Sequence, residues 1–89
     1  MLDQAWRLDG SVALRPEPFG ALAYHFGNRR LSFLKTPPLV DVVKRLGDCS
    51  TVAEALADSD VPETQWPSYV ATLRALAESG MIVRREDAA

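Results

Sequence analysis

The chain offers few side chains capable of covalent or acid–base chemistry, and these do not form a set. It has one histidine, His25, and one cysteine, Cys49. A histidine base needs an orienting carboxylate and a nucleophile nearby, and a zinc site needs about three or four protein ligands. Neither residue has such partners close in sequence, and the five glycines are too scattered to form a phosphate-binding loop. The sequence therefore predicts a protein that is not an enzyme and holds no metal or cofactor.

Two adjacent arginines, Arg29 and Arg30, allow three interpretations. They can be solvated charge at the mouth of a hairpin, where charge discourages aggregation through strand edges. They can form a cationic rim for an acidic ligand. They can also belong to a winged-helix nucleic-acid-binding domain, the alternative function, but the predicted third helix offers only Gln65 and Arg74 for such contacts. A net charge of −2 and a pI near 5.2 also argue against nucleic acid as a partner.

The totals predict the class of protein and its compartment. Eighty-nine residues, 47% of them apolar, predict a single globular domain over residues 1–89. One cysteine, no secretion signal at the start and no apolar run of ~18–20 residues predict a cytoplasmic protein with no membrane partner. Residues 1–45 carry seven basic and four acidic side chains, whereas residues 46–89 carry three and eight. An acidic peptide would therefore prefer the first half.

The first third of the chain predicts three short antiparallel strands, within about residues 5–35. Trp6–Leu8 leads into the turn pair Asp9-Gly10, and Ser11–Arg15 alternates apolar and polar residues. The arms of a further hairpin flank Gly27-Asn28, a pair that tolerates positive φ. The third strand of the sheet is predicted to end near Lys35.

The remainder predicts three helices between about residues 37 and 79, followed by a short extended tail over 81–85. Thr36 is a predicted N-cap with proline at the first helical position, and Thr51 opens a capping box with Glu54. The third helix is expected to start near Thr64 and to end at Gly80. The predicted fold class is thus α+β, a three-stranded antiparallel sheet followed by a three-helix bundle.

The third strand, written LSFL, has apolar residues on both faces. One face can pack on the core of the domain, and the other needs the helices, a partner, or both. A strand of this kind at a sheet edge suits β-augmentation, in which an incoming peptide pairs with the edge. Core packing alone, in a purely structural or oligomerising domain, is the alternative. If the edge is used, Ser32→Pro should remove a hydrogen-bond donor from it.

Several segments, in this order and spacing, resemble the PqqD-like peptide chaperones, the RiPP recognition elements of ribosomal peptide biosynthesis. They are WRLDGSVALR, the hairpin, TPPLVDVVKRL, TVAEAL and LRALAESGMIVRR, and they cover about Trp6–Arg85. The run FGALAYHFGNRRLSFLKTPP looks like the mycofactocin branch of that family, the MftB chaperones. The resemblance implies a winged-helix-like domain that binds the leader of a precursor peptide as an added strand and presents it to a radical SAM maturase.

Carried onto this chain, the resemblance implies a site formed by the third strand, at Arg29–Leu34, and helix three. The expected peptide-binding residues are Arg29, Arg30, Leu31, Ser32, Phe33, Leu34, Tyr69, Val70, Leu73 and Arg74. The three arginines would select acidic leader residues. The sequence leaves two oligomeric states open, a monomer and a strand-swapped dimer, because a free strand edge permits exchange between copies.

Overall fold

The computed structural model describes residues 1–85, so the last four residues of the predicted domain lie outside the described part. Its five strands are β1 (Trp6–Leu8), β2 (Val12–Glu17), β3 (Gly20–His25), β4 (Leu31–Leu34) and β5 (Ile82–Arg84). Its three α-helices are α1 (Pro37–Arg45), α2 (Val52–Asp58) and α3 (Trp66–Glu78). Short 3₁₀ turns, Leu46–Asp48 and Glu63–Gln65, follow α1 and precede α3. The α+β class and the three helices are confirmed.

The strands form two sheets, which corrects the expectation of one three-stranded sheet followed by helices. β2, β3 and β4 form an antiparallel sheet in that order, whereas β1 pairs with β5. Trp6 lies opposite Arg84 and Leu8 opposite Ile82. The predicted extended tail is therefore a strand that joins the two ends of the described chain. A pairing between segments so far apart leaves no turn signal in the sequence, because turn residues mark only local hairpins.

The three-stranded sheet has one buried face and one exposed face. Ala21, Ala23 and Leu34 are at most 3% exposed and face the helices. Because side chains alternate along a strand, the neighbours Leu31 and Phe33 lie on the other face, where they are 56% and 60% exposed. In the described part of the chain, the helices thus cover one side of the sheet and leave the other exposed.

The helices α1 and α2 begin where the sequence predicts, whereas α3 begins at Trp66 and not near Thr64, because the 3₁₀ turn Glu63–Gln65 precedes it. All three helices contribute to one continuous core. The Thr36 hydroxyl accepts from the Leu39 amide at 3.3 Å, and the Thr51 hydroxyl accepts from the Glu54 amide at 3.2 Å. Both predicted N-caps are therefore confirmed. The largest fully buried side chains come from all three helices and from β4, β5 and the connections. They are Leu34, Val42, Val43, Leu46, Val52, Leu56, Leu73, Met81 and Ile82.

The turn between β3 and β4 is longer than the predicted Gly27-Asn28 pair. The left-handed residue is Arg29, at φ 62°, and β4 begins only at Leu31. The Arg29 amide donates to the His25 carbonyl at 2.8 Å, and the His25 amide donates to the Arg30 carbonyl at 3.0 Å. Arg29 and Arg30 therefore belong to the hairpin loop and not to the strand. No helix within residues 1–85 has the length and apolar character that crossing a bilayer requires.

Candidate peptide-binding site

Within residues 1–85, no strand pairs with the outer edge of β4, which therefore exposes main-chain donors and acceptors. In an antiparallel ladder, residue pairs alternate between those that exchange hydrogen bonds and those that do not. His25 and Arg30 are hydrogen-bonded, so the register makes Ala23–Ser32 and Ala21–Leu34 the next bonded pairs. The N–H and C=O groups of Leu31 and Phe33 consequently point away from β3. The Ser32 amide points towards β3, which corrects the expectation that Ser32→Pro removes an edge donor.

The opposite edge of the sheet, along β2, is less able to accept a strand. The Phe26 amide donates to the Ser11 carbonyl at 2.9 Å, and the register then directs the main-chain groups of Val12, Leu14 and Pro16 outwards. The Val12 amide already donates to the Asp9 carbonyl at 3.0 Å. Pro16 has no N–H to offer, and proline is typical of protected sheet edges. Within β2 this leaves one outward donor, the Leu14 amide.

A cavity of about 450 Å³ lies between β4 and α3. On the strand side, the lining residues are Phe33 and Lys35, and the next two along the chain are Thr36 and Leu39. The helix side presents four residues. These four are Gln65, Ser68, Tyr69 and Thr72. Their spacing of three, four and seven residues places them on one flank of the helix. The cavity adjoins the free edge of β4, so a strand added there would lie beside this flank of α3.

The four residues that the resemblance implied on α3 do not share a face. Tyr69 lines the cavity and is half-buried, and Val70 is half-buried. Leu73 is 0% exposed and belongs to the core. Arg74 lies on the other flank of α3, where it lines a second cavity with Met1, Gln4, Trp6, Ala77 and Glu78. The structure therefore brings Tyr69 next to β4 and places Leu73 and Arg74 elsewhere.

Sequence reasoning missed three polar residues that line the cavity on the helix side, Gln65, Ser68 and Thr72. Apolar side chains define the core face of a helix, and the sequence offered no comparable criterion for the adjacent flank. The signal that was present is the spacing of these small polar residues around Tyr69, at i−4, i−1 and i+3. Lys35 was also missed, because it follows the strand rather than lying in it.

Positive charge flanks β4 at both ends. Arg29 and Arg30 precede the strand and Lys35 follows it, and all three are exposed. Within residues 1–85, none of the three has a carboxylate within 4.0 Å. Each cation is therefore free to meet an acidic group of a ligand without breaking an ion pair of the described chain.

The hairpin loop that carries the arginines is held by side chains of its own. The His25 Nδ1 accepts from the amides of Gly27 and Asn28, at 2.9 and 3.1 Å. The Asn28 side-chain oxygen accepts from the Arg30 amide at 2.9 Å, and its Nδ2 donates to the Ser79 carbonyl at 3.0 Å. His25 therefore organises the loop, and Asn28 attaches it to the end of α3.

The single cysteine lies away from this surface. Cys49 is 5% exposed, and its Sγ lies 3.6 Å from Oδ2 of Asp58. Burial, followed by the hydrogen bond to Asp58, raises the pKa of the thiol. Glu54 completes a group of three possible ligand atoms within 4.8 Å of one another. A raised pKa keeps the sulfur as a poorly reactive thiol, which does not suit a nucleophile.

Comparison with known proteins identifies the family. The family model described as the peptide chaperone MftB family matches residues 5–83. A relative from Mycolicibacterium smegmatis called "Peptide chaperone MftB" is 48% identical over 81 residues, which are 91% of this chain and 79% of that protein. Relatives with the same name from Mycobacterium ulcerans and Mycobacterium tuberculosis are 46% and 45% identical over 84 residues, 94% of this chain and 77% of each relative. No solved structure gives a significant match. The chain therefore belongs to the MftB peptide chaperone family.

Proposed function

We propose that this protein binds an extended segment of a precursor peptide as an additional strand beside β4. The observation that carries the proposal is the free edge at Leu31 and Phe33, adjoining the cavity between β4 and α3. An added strand can exchange up to four hydrogen bonds with the main-chain groups of these two residues. The names of the relatives, peptide chaperones, support a peptide as the ligand.

The residues of the implied site would have different roles in peptide binding. Leu31 and Phe33 supply the edge, and Tyr69 contacts the side chains that the peptide directs towards α3. Ser32, Leu34, Val70 and Leu73 support the edge and the helix from within the domain. Arg29 and Arg30 attract acidic groups at one end of the strand, and exposed pairs of this kind contribute only about 0.2–1 kcal/mol each. Affinity should therefore depend mainly on strand pairing and on the cavity.

The second part of the proposal concerns the partner of the complex. As the family resemblance implies, the bound precursor would be presented to a radical SAM maturase in mycofactocin biosynthesis. Strand addition holds the peptide by its main chain over a few residues, so the reacting end remains free to enter an enzyme. Sedimentation of the protein with the precursor and the maturase should give a ternary complex. Failure of the maturase to join a preformed protein–precursor complex would contradict this part alone.

Amide hydrogen exchange provides the direct test of the edge. In the free protein the amides of Leu31 and Phe33 should exchange quickly, whereas those of Ser32 and Leu34 should be protected by β3. Addition of the cognate precursor peptide should protect Leu31 and Phe33. Binding without this change, or no binding at all, would show that the proposed strand addition is wrong.

Proline substitutions separate the edge from the sheet. Leu31→Pro removes an outward donor, so it should weaken precursor binding while the domain stays folded. Leu31→Ala is the matched control, because it shortens the same side chain and keeps the donor. Ser32→Pro removes an inward donor and should instead lower the free energy of unfolding. Equal binding by Leu31→Pro and Leu31→Ala would exclude the Leu31 amide from the interface.

Nucleic acid binding receives no specific support as an alternative. α3 carries one basic residue, Arg74, and one acidic residue, Glu78. A recognition helix normally presents several residues able to bind phosphates or base edges. A salt titration distinguishes the two functions, because nucleic-acid binding weakens steeply with ionic strength and strand addition does so modestly.

A further inference from the structure

The edge of β4 has a charge pattern that restricts what can pair with it. Its centre, Leu31 to Leu34, is apolar apart from Ser32, and exposed cations lie before it at Arg30 and after it at Lys35. These two residues are five positions apart, which is roughly 17 Å along an extended chain. A ligand strand that neutralises both ends therefore needs acidic residues about five positions apart.

The same pattern disfavours a second copy of this chain as the occupant. A two-fold antiparallel pairing of β4 with itself, centred on Ser32, would bring Arg29 and Arg30 of one copy next to Lys35 of the other. Like charges placed opposite each other across two strands are destabilising. Positive charge on an edge strand is also a common protection against self-association. The charges thus favour an acidic strand over self-pairing.

The exposed face of the sheet continues the peptide site beyond the cavity. An added strand must project its side chains alternately to the two faces. Those on the outer face would lie beside Leu31 and Phe33, and the Phe19 ring lies 6.0 Å from the Phe33 ring, centroid to centroid. Phe19 is itself 40% exposed. Apolar side chains of the ligand would cover these three residues.

The side chains on the other face of the added strand would meet a more polar surface. The helix flank presents Gln65, Ser68 and Thr72 around Tyr69. The apolar part of the lining consists of Phe33, Leu39 and the Tyr69 ring. Such a surface accepts small amphipathic side chains, such as threonine, and does not require large apolar ones. The two faces therefore make different demands on alternate residues of the ligand.

Resting on the proposed function, we propose that the segment recognised by β4 is acidic at both ends. Between the ends, apolar and small polar residues alternate. Its apolar residues cover Leu31, Phe33 and Phe19 on the outer face of the sheet, and its small polar residues face α3. Carboxylates at the two ends meet Arg30 and Lys35, with Arg29 adding to the positive charge at the first end. The ligand is thus specified as an acidic peptide strand with apolar residues at every second position.

Three synthetic peptides test this pattern, with binding followed by the amide shifts of Leu31 and Phe33. The first, EEVTVTEE, has acidic ends and alternates valine with threonine between them. The second, KKVTVTKK, reverses the charge, and the third, EEVVTTEE, keeps the composition and breaks the alternation. We expect EEVTVTEE to shift both amides and the amide of Phe19, and to bind about five- to tenfold more tightly than either control. Equal binding by the three peptides, or no binding of EEVTVTEE at millimolar concentration, would overturn the inference.

A charge exchange in the protein makes the test independent of peptide conformation. The double variant Arg30→Glu/Lys35→Glu changes two exposed residues, and circular dichroism should show that it remains folded. Its preference should be reversed, with KKVTVTKK bound more tightly than EEVTVTEE. An unchanged preference, or a concentration-dependent dimer of the native protein in sedimentation, would contradict the inference. Protection of the Leu31 and Phe33 amides by the precursor peptide would still support the proposed function, so the two failures are distinguishable.

Discussion

The side-chain amide of Asn28 donates a hydrogen bond to the main-chain carbonyl of Ser79, at an N–O distance of 3.0 Å. The two residues are 51 positions apart, and their contact fastens the loop between β3 and β4 to the residue that follows α3. β4 and α3 are the two sides of the proposed site. This hydrogen bond therefore connects the two walls of the groove at one end.

Loss of this connection should loosen the groove. Asn28→Asp keeps the oxygen that accepts from the Arg30 amide and loses the donor to Ser79, whereas Asn28→Ala loses both contacts. One such hydrogen bond contributes about 0.5–1.5 kcal/mol to the free energy of unfolding. We expect both variants to be destabilised in urea unfolding, the alanine variant more, and both to bind the precursor more weakly. A free energy of unfolding equal to that of the native protein would mean that the contact does not stabilise the fold.

Gly20 should be essential at the start of β3. It has φ +155°, and a Cβ at this position would collide with the Leu34 carbonyl oxygen. Gly20→Ala should therefore displace the end of β4 and lower the free energy of unfolding by about 2 kcal/mol or more. Gly10→Ala is the control, because a Cβ there meets nothing within 4 Å. Similar urea midpoints for the two variants would contradict the steric argument.

Three substitutions along α3 should have three different effects. Tyr69→Ala removes a side chain that lines the cavity, and we expect about tenfold weaker precursor binding in calorimetry. Leu73→Ala creates a void in the core and should cost about 2–5 kcal/mol of stability. Arg74→Ala changes the opposite flank and should alter neither quantity much. Weaker binding by the Arg74 variant than by the Tyr69 variant would mean that the peptide lies on the other side of the helix.

The buried thiol should make stability depend on alkaline pH. Because burial and Asp58 raise the pKa of Cys49 in the folded state above its ordinary value of 9.0, the unfolded state loses the thiol proton first. The contribution of the protonated thiol to the free energy of unfolding is complete below pH 9. It is lost as the pH rises through the folded-state pKa. The free energy of unfolding should therefore fall above pH 9, and less so in Cys49→Ala. Iodoacetamide should also alkylate native Cys49 more slowly than the unfolded chain.

The local features of this fold were accessible from sequence because each depends on neighbouring residues. Thr36 and Thr51 cap helices through bonds to amides three residues ahead, and α3 ends just before Gly80. The exposed, two-faced character of the strand around Ser32 follows from the alternation of its side chains. The family also followed from the order of these local motifs, and the comparisons confirm it.

The geometry of the candidate site depends on contacts between segments that are distant in the sequence. The pairing of Trp6 with Arg84 gave the chain a second sheet, which no local pattern indicates. The outward direction of the Leu31 and Phe33 amides depends on the register with β3, since a shift of one residue would turn the Ser32 amide outwards instead. Sequence alone therefore identified the edge strand, whereas the tertiary structure decided which of its amides are free and which flank of α3 faces them. The physical reason is that alternation along a strand and periodicity around a helix determine which residues share a face. Only packing against other elements determines the direction in which that face points.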